Sequence, residues 1–485
     1  MAKIANAFGR LEAFTLAVAL YIAGHAQMAG SKSVVTFASA QICYSAGSQG
    51  LQVLEQIFIA DTSSLINRAT LSRLPDIPFL FSVWLGPKLA DSLLAMTGWR
   101  WGYGIWPISV PIAFLPLMLA LHLNYQKAKK AGLIPSSSQR SRSVRQFAHS
   151  LWFDLDIMGL VLLCTALALI LIPLTVAAKA ASRWKNAGLV TMIAIGVVCL
   201  AIFPIWESIR RLAPHPFLPL HLLRNRTVLA GCGISFLYFA VFYTSIQPYF
   251  NSYLQVVHSQ SVTTAGQIVN IFSLASTIGG VLISLVIRYT RHYKYYITLG
   301  ACVYLLGVVL MIYYHQVESS ILTIIWTQIC IGFGCGLLNV PTQLGVQASV
   351  AHADVAAATA AFLTTLEIGG AVGGAISGAI WSNSLLPKLE SYLPAHAKND
   401  AGLIFGNITA AKSYPRGSAE RLAINRGYQE SLDSILIVAA CFAAPLIPLS
   451  LCIGNYRLDP THGNMDKERE FDDIEERATA SDPED

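Results

Sequence analysis

Two carboxylates stand where carboxylates are costly. Glu367 lies in the run LTTLEIGGAVGGAISGAIW, among apolar and small residues. An ionisable group near the centre of a membrane helix costs about 3 kcal/mol or more unless it is neutralised or paired, so it is a functional candidate by default. Carboxyls held partly dry favour the protonated form, which suits a site that must load and release protons. Glu367 reads as a proton-binding or substrate-linked group, or else as a hydrogen bond to a neighbouring helix. The glycines that follow it, 369, 370, 373, 374 and 378, are spaced for close helix approach. Glu55 ends a polar stripe, Gln41, Ser45, Ser48, Gln52 and Glu55, whose spacing of i, i+4, i+7, i+11 and i+14 puts them on one helix face. Tyr44 joins them as a candidate. So polar a face should look into protein or a water-filled cavity. Glu55 itself sits one turn from the helix end, where solvation is the plainer reading.

The same test selects Tyr243, Gln247 and Asn251, with Tyr249 and Tyr253 beside them; Gln267, Asn270 and Thr277; and Gln328, Asn339 and Gln343, interleaved with Gly332 and Gly336. Each is a candidate cavity wall or an interhelical hydrogen bond. No cluster has metal-ligand spacing. His25, the only histidine well inside an apolar run, reads as a satisfied packing residue. No G-x-x-x-x-G-K-[ST], H-E-x-x-H or G-x-S-x-G motif occurs, so neither a nucleotide site nor an enzyme is expected. With no ATP-binding part, any work must come from a gradient. A potential of 100 mV supplies about 2.3 kcal/mol per charge, enough for about fifty-fold accumulation.

The elements that must position these residues are membrane helices. The chain has 485 residues, 54% hydrophobic and only 12% charged, and its apolar residues come in runs of about 20, each able to cross a hydrocarbon core of about 30 Å as a helix. Twelve spans are expected, near 11–30, 34–59, 74–94, 99–123, 156–178, 187–206, 228–251, 264–287, 296–315, 320–345, 356–382 and 432–453. The nine cysteines fall in or beside these spans, which argues against a disulfide framework or a zinc site. The dispersed basic residues argue against nucleic-acid binding. No cleavable signal is visible at the start.

Lys and Arg crowd one set of alternate loops: Lys3 and Arg10; Arg68 and Arg73; Lys127 to Arg145; Arg210 to Arg226; and Arg288 to Lys294. They are sparse in the other set, the long loop 383–431 aside, so both termini are expected in the cytoplasm. That orientation puts the sequon Asn407-Ile408-Thr409 outside, as a glycosylation candidate, and Asn225-Arg226-Thr227 inside. The acidic end reads as a disordered tail.

The basic segment RYTRHYKY at 288–295 follows two spans of the last six, whereas the comparable MAKIANAFGR opens the chain. Aligning these two loops gives a plan of four, two and six spans: an incomplete N-terminal bundle at 1–123, a basic loop at 124–155, a central pair at 156–206, a linker at 207–227, a six-span bundle at 228–453 and a tail at 454–485. On the opening segment, with Lys3, Gly9 and Arg10, and on FIADTSSLINRA, LPDIPFLFSVWLGP, APHPFLPLHLLRNRT, TSIQPYFNSYL, LNVPTQLGVQAS and SYPRGSAERLAINRGYQ, the chain resembles the fungal siderophore iron transporters of the major facilitator superfamily. Ala2 and Asn6 depart from that family's G-K-x-A-D-x-x-G-R. The resemblance implies an all-α polytopic membrane protein of two-bundle, major facilitator-like architecture. Against that family's fourteen spans, the resemblance implies that this sequence begins at the counterpart of the third. It also implies import of a ferric siderophore with protons by alternating access. An exporter, a carrier for another organic solute and a non-transporting truncated product are the alternatives. No cofactor is expected, because a siderophore already wraps its iron. The expected partners are the chelate, protons and lipid; a monomer in the plasma membrane is expected rather than a vesicular protein. In the outer loop, Phe405, Tyr414, Arg416, Arg421 and Tyr428 are candidates to receive or cover the chelate, or else belong to a solvated loop.

Overall fold

The computed structural model describes residues 4–5, 9–63, 65–72, 74–130, 152–153, 156–176, 186–209, 213–214, 220–351 and 354–456. Lys3, most of the 124–155 loop, and the tail from 457 on lie outside these. Among the described residues every regular element is a helix. In the expected spans these are α1 (Arg10–Ala29), α2 (Val34–Thr62), α3 (Phe79–Met96), α4 (Trp106–Lys130), α5 (Ile157–Val176), α6 (Ala187–Ser208), α7 (Arg226–Ser245), α8 (Val262–Thr290), α9 (Lys294–Tyr314), α10 (Ile321–Ala348), α11 (Val355–Tyr392) and α12 (Ala419–Ala443). Nine membrane-length, sufficiently apolar helices occur among the described residues, some continuing across a break. Helices α1, α2 and α3 fall outside that set; α2 carries the polar stripe.

Local chemistry fixes where several helices begin and break. Ser33, Ser261, Ser320 and Ser418 each cap a helix by accepting a backbone N–H two or three residues on. The span expected from 74 starts only at Phe79, since Pro75 and Pro78 suit a 3-10 turn (Leu74–Asp76) and a helix entry rather than a helix interior. The span expected over 228–251 breaks after Ser245 at Pro248 and resumes as Phe250–Val256. The last span breaks at Pro445 and resumes as Leu446–Cys452. At 383–431 the difference is larger. Helix α11 runs on to Tyr392 and α12 begins at Ala419, so the connection is 393–418 and contains short helices of its own (Ala401–Gly406 and Ile408–Ser413).

The principal core lies in the six-helix group α7 to α12, around Phe250, Tyr253, Tyr304, Phe362 and Leu436. Small residues allow its helices to touch. A Cβ at Gly369 or Gly373 of α11 would fall on the α7 backbone at Phe236 or Ala240, and one at Gly332 or Gly336 of α10 on the α8 backbone. A smaller core, around Phe14 and Leu54, holds α1 against α2. The two groups meet where α2 packs on α11 and α3 on α8, while α5 also lies along α11. Helices α5 and α6 pair with each other and expose most of their apolar surface, as lipid-facing helices do.

Candidate functional site

At the seam between the two groups, backbone proximity within each group brings side chains together. Gly24 of α1 and Gly47 of α2 face each other's helix so closely that a Cβ would meet the Tyr44 or Tyr21 backbone. The crossing packs three rings: Tyr21 on His25 at 4.5 Å, His25 on Tyr44 at 4.9 Å and Tyr21 on Tyr44 at 5.4 Å between centroids. On the other side, Gly370 and Gly374 leave room for the Tyr243 ring of α7. That phenol lies within electrostatic reach of Glu367 in its own group and of Tyr44 across the seam. Glu367 is half-buried. Just before it in sequence, Ser235 Oγ lies 2.9 Å from Thr365 Oγ1 and donates to Phe362 O, which fixes α11 on α7.

A cavity of about 240 Å³ opens along the same seam. Its wall is aromatic on one side, with Phe242 stacked on Phe239 at 5.8 Å and on Phe272 at 4.7 Å. Polar groups enter from several helices: Gln52 from α2; Asp76; Ser273, Ser276 and Thr277 from α8; and Asn339 from α10, whose Oδ1 has no hydrogen-bond partner. Gln343 of α10 reaches Gln56 of α2 at 3.0 Å, a direct hydrogen bond between the groups. Gln41 is exposed, and Ser45, Ser48 and Glu55 are half-buried. Gln267 and Asn270 are half-buried on α8 and Gln247 is exposed. Gln328 is fully buried and donates to Met311 Sδ, so it packs within the six-helix group.

The end of the molecule that bears 393–418, here called the loop end, collects the remaining aromatic candidates. Tyr249 stacks on Trp381 at 4.4 Å and Tyr428 meets the same indole edge-on at 5.2 Å. Tyr253 is completely buried; its hydroxyl donates to His315 O at 3.1 Å and to Gln429 Oε1, and Gln429 donates to Asp433 at 2.8 Å. Asn251 accepts from Gln255 at 2.7 Å. Arg421 is 3% exposed and donates to Ala411 O at 2.7 Å, to Val256 O and to Ser259 Oγ at 3.2 Å. Arg416 reaches Ser259 O at 3.4 Å, Tyr414 bonds Asp400 at 3.1 Å, and Phe405 packs on the core. Just past α9, burial and the neighbouring His258 hold the His315 imidazole down at about 3; burial also lowers His258. Asn407 is exposed and caps the short helix Ile408–Ser413, whereas the Asn225 amide donates to Ser349 O at 2.8 Å.

At the opposite end, Arg10 grips Asp61 through Nε at 3.1 Å and Nη2 at 2.8 Å. Gly9 beside it has φ 111°, a conformation that excludes most side chains. Buried Arg68 donates to Ala60 O at 2.9 Å.

Sequence reasoning did not find Asp61, Phe242, Phe272, Trp381 or the Tyr253–Gln429–Asp433 chain. Of these Tyr253 was a candidate in its own right, and Asp61 and Asp433, carboxylates at span ends, carried a visible signal. His25 also differs from expectation. It is 5% exposed and neither ring nitrogen has a hydrogen-bond partner. Among the described residues no group of three or more His, Cys, Asp or Glu is placed to hold a metal ion.

Two helix groups meeting at a part-polar seam, with a carboxylate near it, define a multi-pass membrane protein built like a carrier. Residues 1–374 match the model of the Major Facilitator Superfamily. Similar proteins include siderophore iron transporter mirC of Emericella nidulans, 52% identical over 98% of this chain and 78% of that protein. MFS siderochrome iron transporter C of Aspergillus fumigatus is 52% identical over 95% of this chain and 75% of its own length. Siderophore iron transporter 1 of Schizosaccharomyces pombe is 37% identical over 94% of this chain and 73% of its own. The chain belongs to the siderophore iron transporter family of the Major Facilitator Superfamily.

Proposed function

We propose that this protein imports ferric siderophores across the plasma membrane by proton symport, through rocking of its two helix groups about the seam. The observation that carries the reading is the 52% identity, over 98% of the chain, to a protein named as a siderophore iron transporter. The seam's chemistry fits. Siderophores are bulky, polar and often amide-rich, and the cavity offers amides and hydroxyls against stacked phenylalanines. At about 240 Å³ it is smaller than the roughly 300–1,000 Å³ usual for ligand pockets, so a chelate enters by parting the groups. The ferric ion travels inside its chelate. Glu367 is the proton carrier; Tyr243, Tyr44, Gln52 and Asn339 line the path. The loop end, with Asn407 glycosylated, faces outward, both termini face the cytoplasm, and the protein works as a monomer.

The test is uptake of radio-iron, presented as several ferric hydroxamate chelates, by cells lacking their own carriers. Accumulation that collapses when the proton gradient is discharged is expected. Failure of every chelate to enter sinks the import reading, and uptake indifferent to the gradient sinks symport.

A further inference from the structure

The N-terminal group holds a buried histidine whose two ring nitrogens its packing leaves bare. His25 is nearly sealed from solvent, and both its ring nitrogens lack a partner. A buried polar atom left unpaired is costly, and an apolar ring would fill the same space without that cost. Four aromatic rings surround the imidazole: Tyr21 at 4.5 Å, Tyr44 at 4.9 Å, Trp106 at 6.1 Å and Tyr103 at 6.2 Å. They come from α1 itself, α2, α4 and the short helix Trp99–Gly104, and those elements pack directly on α1. Ring faces are electronegative and can attract a cation placed within about 6 Å, a distance that the Tyr21 and Tyr44 rings meet, and no permanent counter-charge among these rings fixes the imidazole in one protonation state. The titratable groups facing His25 are the phenols of Tyr21, Tyr44 and Tyr103.

Tyr44 has a second neighbour. It lies within electrostatic reach of Tyr243 across the seam, and Tyr243, whose ring lies against Gly370, is within the same reach of Glu367. The order His25, Tyr44, Tyr243, Glu367 therefore runs from one helix group to the other, with a protonatable residue at each end. We infer that His25 is the proton-loading residue of the N-terminal group, the counterpart of Glu367, with the aromatic box as its binding site. This rests on the symport reading. The imidazole takes one hydrated proton from the solution on one side when the seam is parted, becoming imidazolium, and releases it to the solution on the other side when the groups part the other way. Separation of Tyr44 from Tyr243 as the groups rock uncouples the two sites, so each loads in a different conformation.

The experiment uses the full chain in liposomes with a pH-sensitive dye inside and a ferric trihydroxamate outside, iron and protons being followed together. His25→Phe keeps an aromatic ring in the box and removes the titration. Its expected result is a fall in the number of protons entering per iron, Glu367 still loading its own, with iron uptake losing the part of its pH dependence that lies between pH 5 and pH 8, where an imidazole ordinarily changes charge. A wild-type proton-to-iron ratio and pH profile in His25→Phe overturns the inference while leaving symport standing. Wild-type iron uptake without protons overturns both. Should His25→Phe misfold, Glu367→Gln provides the second arm. Addition of the chelate to that variant in weakly buffered detergent still moves a proton if His25 is a site, and none moves if it is not.

Discussion

Replacing His315 by Phe should flatten the acid sensitivity of this protein. The ring is wholly buried just past the end of α9, 4.4 Å from Tyr253 and 4.9 Å from Phe250. Burial moves it from an ordinary 6.5 down to about 3. A histidine with a lowered value in the folded state contributes stability that is complete above the unfolded value and is lost as pH falls toward the folded one. Between pH 7 and pH 5 the unfolded chain gains this proton and the folded one does not, which removes about 2 kcal/mol at 1.36 kcal/mol per unit. His315→Phe removes that loss and keeps the two hydrogen bonds at this residue, because Tyr253 and Gln429 both donate to its backbone carbonyl. Thermal unfolding of the detergent-solubilised protein, followed by intrinsic fluorescence at both pH values, measures the difference; exposed His292→Phe is the control. An unchanged pH dependence in His315→Phe would refute the reasoning.

Glu367→Gln should abolish pH-dependent accumulation of iron while leaving chelate binding in place; unchanged pH dependence would reassign Glu367 to packing. Gly373→Val should cost more than the roughly 1–3 kcal/mol of ordinary overpacking, because its side chain meets the α7 backbone rather than a movable side chain, and this should appear as loss of folded protein on size exclusion. Arg421→Ala strands the carbonyls of Ala411 and Val256, at about 1–3 kcal/mol each, and should speed proteolysis within 393–418. Asn407→Gln should raise the gel mobility of protein made in a eukaryotic host, and Asn225→Gln should not.

How much of this was legible follows from the kind of signal each feature leaves. Twelve apolar runs located the twelve principal helices to within a few residues, except where proline or a protruding helix end intervened: α3 starts late after Pro78, and α11 continues to Tyr392. Hydropathy records where a bilayer ends and is silent about a helix that continues into water. Of the stripe ending at Glu55 only Gln52 lines the cavity, and the bond across the seam is made by Gln56 beside it, whereas the glycines after Glu367 reported a close crossing. Tyr253 was a candidate in the sequence, but its bond to Gln429 left no signal, because the two lie 176 residues apart. His25 misled for the opposite reason: a lone buried histidine looks alike whether its nitrogens are bonded or bare, and only the rings around it make the difference.

The loop end acts on the six-helix group and does not clasp the two groups together. Arg421 ties α12 to Ala411 of the connection and to Val256 and Ser259 beyond α7; Tyr253 and Gln429 tie the same region to the end of α9. All these residues follow α6 in sequence and pack within one core. Between the groups, by contrast, stands the Gln343–Gln56 hydrogen bond, a neutral contact of about 1 kcal/mol that can break and reform within a transport cycle. If the groups rock about the seam as proposed, 393–418 would move as part of its own group. On that reading, residues of this connection would meet a chelate by being moved with the bundle, and an acid-driven loosening at His315 would soften that bundle instead of releasing a latch. Gln56→Leu should accordingly shift the balance of seam conformations, read as altered labelling of a cysteine placed at Gln52, while His315→Phe leaves that labelling unchanged. Equal effects of the two variants on labelling would mean that the loop end and the seam are one mechanical unit.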